Sequence, residues 1–83
     1  MNNRKITNTI TVCERGWILV GIITKENEED IQVMKTQVVR KWRNSRGIGG
    51  LVKEEYKSEY TLDPIGEVSI KKSKILFTIP CEW

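Results

Sequence analysis

Eighty-three residues, 30% charged and 39% apolar, make one small globular domain: a chain this short buries only roughly 60–65% of its unfolded surface and has no room for two cores. That apolar share is too high for a disordered tail, and the longest apolar run, Trp17 to Ile23, is far short of the about 20 residues a membrane-spanning helix needs. Fourteen basic and 11 acidic residues with no histidine leave a net charge of +3, which neither forces nor forbids contact with phosphates.

The start, Met1 to Lys5, is polar and leads into alternating Ile and Thr rather than the apolar block of a signal peptide, so a cytoplasmic chain is expected. From Ile6 to Val12, β-branched residues alternate with polar ones, and Ile6, Ile10 and Val12 share a parity. This predicts a half-exposed first strand. Glu14-Arg15-Gly16 supplies a turn, and Trp17 to Thr24 follows as a strand apolar on both faces, with Trp17, Leu19 and Ile23 on one side and Ile18, Val20 and Ile22 on the other. Such a strand belongs in the centre of a sandwich, inside a curled barrel or at a subunit interface.

Lys25 to Glu29 is the acidic tip of a hairpin, and a long strand resumes at Asp30. Ile31 and Val33 set one phase; Val38, Arg40 and Trp42 take the other. A phase break within one strand predicts a bulge. Asn44 to Gly50 reads as loop, since three glycines in four positions do not suit a regular element. Leu51 to Tyr60 is the one helical candidate, with Val52, Tyr56 and Tyr60 recurring at helical spacing. Asp63-Pro64-Ile65-Gly66 carries a type I turn pattern, then Val68 and Ile70 alternate with polar residues. Lys72-Ser73 turn the chain into a last apolar strand, Ile75 to Ile79, ended by Pro80. The expected fold is mainly β: a small antiparallel barrel or sandwich of about five strands with one short helix.

The absence of histidine removes the usual general base near neutral pH, and the acids of residues 26–30 sit at an exposed tip where raised pKa values are not expected. Cys13 and Cys81 read as buried small hydrophobes, and a tetrahedral zinc site would lack ligands. A non-catalytic chain without cofactor or metal is therefore expected. Binding chemistry concentrates in Val39 to Leu51, where Arg40, Trp42, Arg43, Ser45, Arg46, Gly47 and Gly49 combine guanidinium groups, an indole face and glycines that let backbone N–H groups approach an anion. The spacing matches neither a P-loop nor a dinucleotide fingerprint. The plainer reading is that Trp42 packs in the core, the arginines are solvated and the glycines permit a turn.

The run Val39-Arg40-Lys41-Trp42, then Ser45-Arg46-Gly47-Ile48-Gly49-Gly50-Leu51, then Leu62-Asp63-Pro64 and Gly66-Glu67-Val68, resembles a group of small phage and prophage proteins. These carry an Arg-Trp-Gly-Thr-Thr/Ser-Lys/Arg-Gly-Leu-Gly-like run, a Leu-Asp-Pro and a closing strand pair, and the likeness extends over roughly Trp17 to Ile79. Arg43-Asn44 stand where those proteins have Gly-Thr, so no role that needs that glycine carries over. The resemblance implies a source and a topology, and no activity.

Three functions compete on these grounds: capture of an anionic, nucleotide-like small molecule, possible antagonism of host defence included; inhibition of a host protein through the acidic tip and basic loop; and nucleic-acid binding, least favoured because one aromatic lies in the basic run and 11 acids dilute the field. No membrane partner is expected. A homo-oligomer is, because the two-faced strand with Phe77, Ile79 and Trp83 offers more apolar surface than a small monomer covers easily.

Overall fold

A computed structural model describes residues 6–83. Five strands, β1 (Thr9–Cys13), β2 (Ile18–Glu26), β3 (Asp30–Trp42), β4 (Tyr60–Lys71) and β5 (Ile75–Pro80), form one antiparallel sheet in the order β4-β3-β2-β1-β5. The mainly β architecture is as the sequence predicts. No ladder joins β4 to β5, so the sheet curls without closing. Only Lys72–Lys74, a short 3-10 turn, carries the chain from one sheet edge to the other. Four residue steps reach at most roughly 14 Å, so the two edges must bend towards each other at this end.

The bend comes from bulges. Ladder register slips on β2 between Val20 and Ile22, and on β3 between Val33 and Thr36 and again before Gln37. These slips fall where the hydrophobic phase of β3 breaks. Lys35 and Gly66, on adjacent strands, both take positive φ, at 52° and 83°, and such residues twist a strand more sharply. Gly21 sits under the bend: a Cβ there would lie 2.6 Å from Val33 Cγ1 and 3.0 Å from the Met34 carbonyl oxygen. Thr36 is fully buried, and its hydroxyl donates to the Val33 carbonyl at 3.0 Å. The Asp63-Pro64-Ile65-Gly66 turn signal is thus spent within β4 as a bulge, rather than between strands.

Alternating strand residues feed two apolar clusters, one on each sheet face. Ile10, Val12, Val20, Val39, Leu51, Tyr60 and Cys81 form the first, with Ile18, Trp42, Tyr56 and Trp83 packed around them. The second holds Cys13, Leu19, Ile31, Val33 and Ile70, with Ile23, Val38 and Ile75 beside them. β2 therefore contributes to both faces, as its composition predicts. The first face is covered by the segment between β3 and β4 and by the C-terminal residues; Trp83 Nε1 donates to the Leu51 carbonyl at 2.8 Å, and Glu82 N to that of Val52 at 2.8 Å.

The helical segment lies between the third and fourth strands, as expected, in the form of two 3-10 turns, Ile48–Val52 and Glu54–Glu59. Lys53, extended at φ −101° and ψ 128°, separates them. Gly49 and Gly50 fall inside the first turn, which corrects the expectation that this glycine-rich stretch is loop throughout. No helix among the described residues is long and apolar enough to cross a membrane.

Candidate functional site

The basic segment after β3 is held together by its own side chains. Asn44 Oδ1 accepts from Arg46 N at 3.0 Å, which sets the turn, and Asn44 Nδ2 donates to Glu59 Oε1 at 2.6 Å. Arg46 Nε donates to the same Glu59 oxygen at 3.4 Å, while its guanidinium carbon lies 3.6 Å from the centre of the Tyr56 ring. Gly47 takes φ 67° and presents its carbonyl to the Tyr60 hydroxyl. Gly50 has no space for a side chain, since a Cβ would meet that hydroxyl and the Arg46 Cβ. Trp42 is half-buried against the first core, its ring centroid 5.8 Å from that of Tyr60.

Of the residues singled out in this segment, then, Arg46 is neutralised by Glu59 and Arg40 by Asp63, at 3.3 Å. Arg43 and Ser45 are exposed, as is Gly49. Trp42, Arg46 and Gly47 converge on Tyr56, Glu59 and Tyr60 in one structural knot, and Arg40 stands apart on β3. Arg46 thus spends its Nε on the Glu59 carboxylate and one guanidinium face on Tyr56.

A different recess lies on the second face of the sheet. Its floor is Cys13, Leu19, Val38 and Ile70, its walls are Trp17 and Ile65, and its volume is about 540 Å³. Trp17 precedes β2 instead of packing in the sheet, and it is 59% exposed; Ile65, carried on the β4 bulge, is 46% exposed. The exposed indole and Ile65 thus extend the apolar surface of the floor outwards on two sides. The Glu14–Gly16 turn sets the mouth. Arg15 and Gly16 both take positive φ, 65° and 80°, and Cys13 N closes the turn by donating to the Trp17 carbonyl at 2.8 Å. Arg15, Lys71 and Lys74 line the mouth with Glu14, and Lys74 pairs with Glu14 at 3.6 Å. Arg40 and Arg15 also border a smaller recess, of about 360 Å³, that shares Trp17 and Val38 with the first.

Neither thiol is built for nucleophilic work. Burial pushes the Cys81 thiol up from 9.0 to about 11 and raises that of Cys13 as well, and a thiol held protonated is a poor nucleophile. Among the described residues no group of three His, Cys, Asp or Glu side chains converges as a metal site would need.

The sequence did not mark Arg15, Trp17, Ile65 or Lys71. Trp17 reads there as the first residue of an apolar strand, and only its position directly after a turn with Gly16 signals that it can stand outside the sheet. No family model, no curated protein and no solved structure matches the chain.

Proposed function

We propose that this chain is a non-catalytic binding protein that captures a small organic anion in the Trp17 cleft. The observation that carries the reading is the exposed indole over an apolar floor, with Arg15, Lys71 and Lys74 at the mouth against the single acid Glu14. Binding sites combine an apolar body with a few charged groups that fix orientation, and a volume of about 540 Å³ is within the range of small-molecule pockets. The raised thiol pKa values support a binding role over covalent chemistry. On the phage resemblance, the setting we propose is a host cytoplasm in which the chain withdraws an anionic metabolite or signal.

Isothermal titration with organic anions and matched cations, at low and high salt, tests the reading. Anions should bind and lose affinity as salt rises, and Lys71→Glu should weaken them. Equal binding of cations, or anion binding indifferent to Lys71→Glu and to Ile65→Asp, would place the function elsewhere.

A second reading, contact with a host protein or a second copy, is favoured by β5. This edge strand, Ile-Leu-Phe-Thr-Ile-Pro, has no charge, and its Leu76 and Phe77 are 63% and 51% exposed, which makes it open to pairing with another strand. Of the residues first assigned to such a surface, Phe77 remains available, Ile79 is half-buried and Trp83 is committed to the first core. Light scattering that gives the monomer mass of 9.7 kDa at micromolar concentration rules out self-association.

A further inference from the structure

We infer that the molecule captured in the Trp17 cleft is an amphiphilic anion, an aliphatic or bare aromatic body bearing one carboxylate, sulfonate or phosphate head. The inference rests on the capture reading and adds the chemistry of the captured molecule, which differs from the nucleotide-like ligand expected from the sequence. The floor, Cys13, Leu19, Val38 and Ile70, offers a ligand no neutral hydrogen-bonding side chain except the weak thiol donor; Ser69 alone among the lining residues supplies a hydroxyl. A nucleobase or ribose seated on that floor would find few partners for its ring nitrogens and hydroxyls, which costs affinity for every group stranded. A hydrocarbon tail or an unsubstituted ring loses nothing by the same move, and the Trp17 face adds a flat apolar wall.

Charge is confined to the mouth, and it has one sign in excess. Glu14 is occupied by Lys74, whereas Arg15 and Lys71 have no carboxylate within ion-pair distance among the described residues. Lys71 also borders a crevice with Glu28 and Glu29, so Arg15 is the cleaner head-group contact. The same cations argue against a second copy as the occupant. A twofold contact through this face would bring together two mouths that each hold three cations, Arg15, Lys71 and Lys74, against the one acid Glu14, and the excess of like charge opposes such an approach. A small molecule with an anionic head and an apolar tail satisfies both halves of the site.

The test uses the intact chain and 1-anilinonaphthalene-8-sulfonate, whose fluorescence rises on entering an apolar site, with far-UV circular dichroism to confirm that the fold is unchanged. Hexanoate, octanoate and decanoate, kept below micelle formation, should displace the dye. Each added methylene should tighten binding about three- to fourfold, the value of burying one CH₂. Decyltrimethylammonium should fail, and AMP should need a much higher concentration. Arg15→Gly removes the cation while relieving a left-handed backbone conformation, so folding is not endangered; it should weaken octanoate about tenfold, the scale of one charge-assisted contact. Ile65→Asp, at an exposed position, should act in the same direction.

Displacement by AMP at lower concentration than decanoate overturns the amphiphile assignment and leaves anion capture standing. No dependence on tail length has the same meaning. Equal displacement by the cationic surfactant, or no dye binding to a folded monomer, overturns both. A dimer whose dye binding appears only on dilution assigns the cleft to a second copy and also overturns the inference.

Discussion

Arg46→Ala separates a ligand-binding loop from a structural one. In the wild-type chain the Arg46 guanidinium stacks 3.6 Å from the Tyr56 ring centre and donates to Glu59 at 3.4 Å. Both partners lie in the second 3-10 turn, so the side chain ties the end of β3 to the cover of the first core. An ion pair this exposed contributes at most about 0.5 kcal/mol after solvent screening. The cation–π contact adds about 0.5–1 kcal/mol, and lost packing of the arginine stem against Gly50 a few tenths. The sum is about 1–2 kcal/mol. For a domain of this size that lowers the melting temperature by roughly 5–15 °C. Urea unfolding followed by circular dichroism measures it, and a cycle with Tyr56→Leu should recover a coupling of about 0.5–1 kcal/mol. Stability unchanged within about 0.3 kcal/mol, together with loss of anion binding, would refute the structural assignment and return Arg46 to the site.

Three further outcomes follow from the packing. Leu51→Ala empties a fully buried position in the first core and should cost about 2–5 kcal/mol, enough to leave much of so small a domain unfolded by circular dichroism at 37 °C. Gly21→Ala forces a methyl against Val33 Cγ1 and the Met34 carbonyl, where the backbone cannot yield; calorimetry should show a loss of about 1–3 kcal/mol, and a neutral effect would mean that the bend is softer than the geometry implies. The thiols set a pH window. With the folded Cys81 pKa near 11 against 9.0, the neutral thiol is favoured by folding, so stability is full below about pH 9, falls as pH rises towards 11 and stays low beyond it. Cys81→Ser should flatten that slope, and native thiols should react with Ellman's reagent at pH 8 far more slowly than denatured ones.

Local pattern was enough to read the strands and the bend. The two-faced composition of Trp17 to Thr24 reports the two clusters that β2 separates, and the parity change between Val33 and Val38 reports the bulge directly, because a strand alternates faces every residue. The sheet order was not legible. Val68 to Ile79 reads as a closing pair, yet β4 and β5 lie on opposite edges: β4 pairs with β3, the strand before it, and β5 with the distant β1, and nothing local encodes that choice.

The pairing inside the basic loop is hidden for a related reason. The groups that neutralise Arg46 come from Tyr56 and Glu59, 10 and 13 positions later, so the sequence shows the cations without their partners. The cleft is not visible in any one segment because its parts come from β1 and the turn after it, β2, β3, β4 and the Lys72–Lys74 turn. Trp17 in particular joins no cluster, although it opens the most apolar run in the chain.

Two-dimensional amide NMR of the uniformly labelled chain during titration with octanoate tests the cleft most directly. The account predicts saturable shifts at Arg15, Leu19, Val38 and Ile70 and at the Trp17 indole N–H, with the Asn44 to Gly50 amides unmoved. Shifts confined to Arg43, Ser45, Arg46 and Gly47, with the Trp17 indole unchanged, would contradict it and move the anion site to the basic loop.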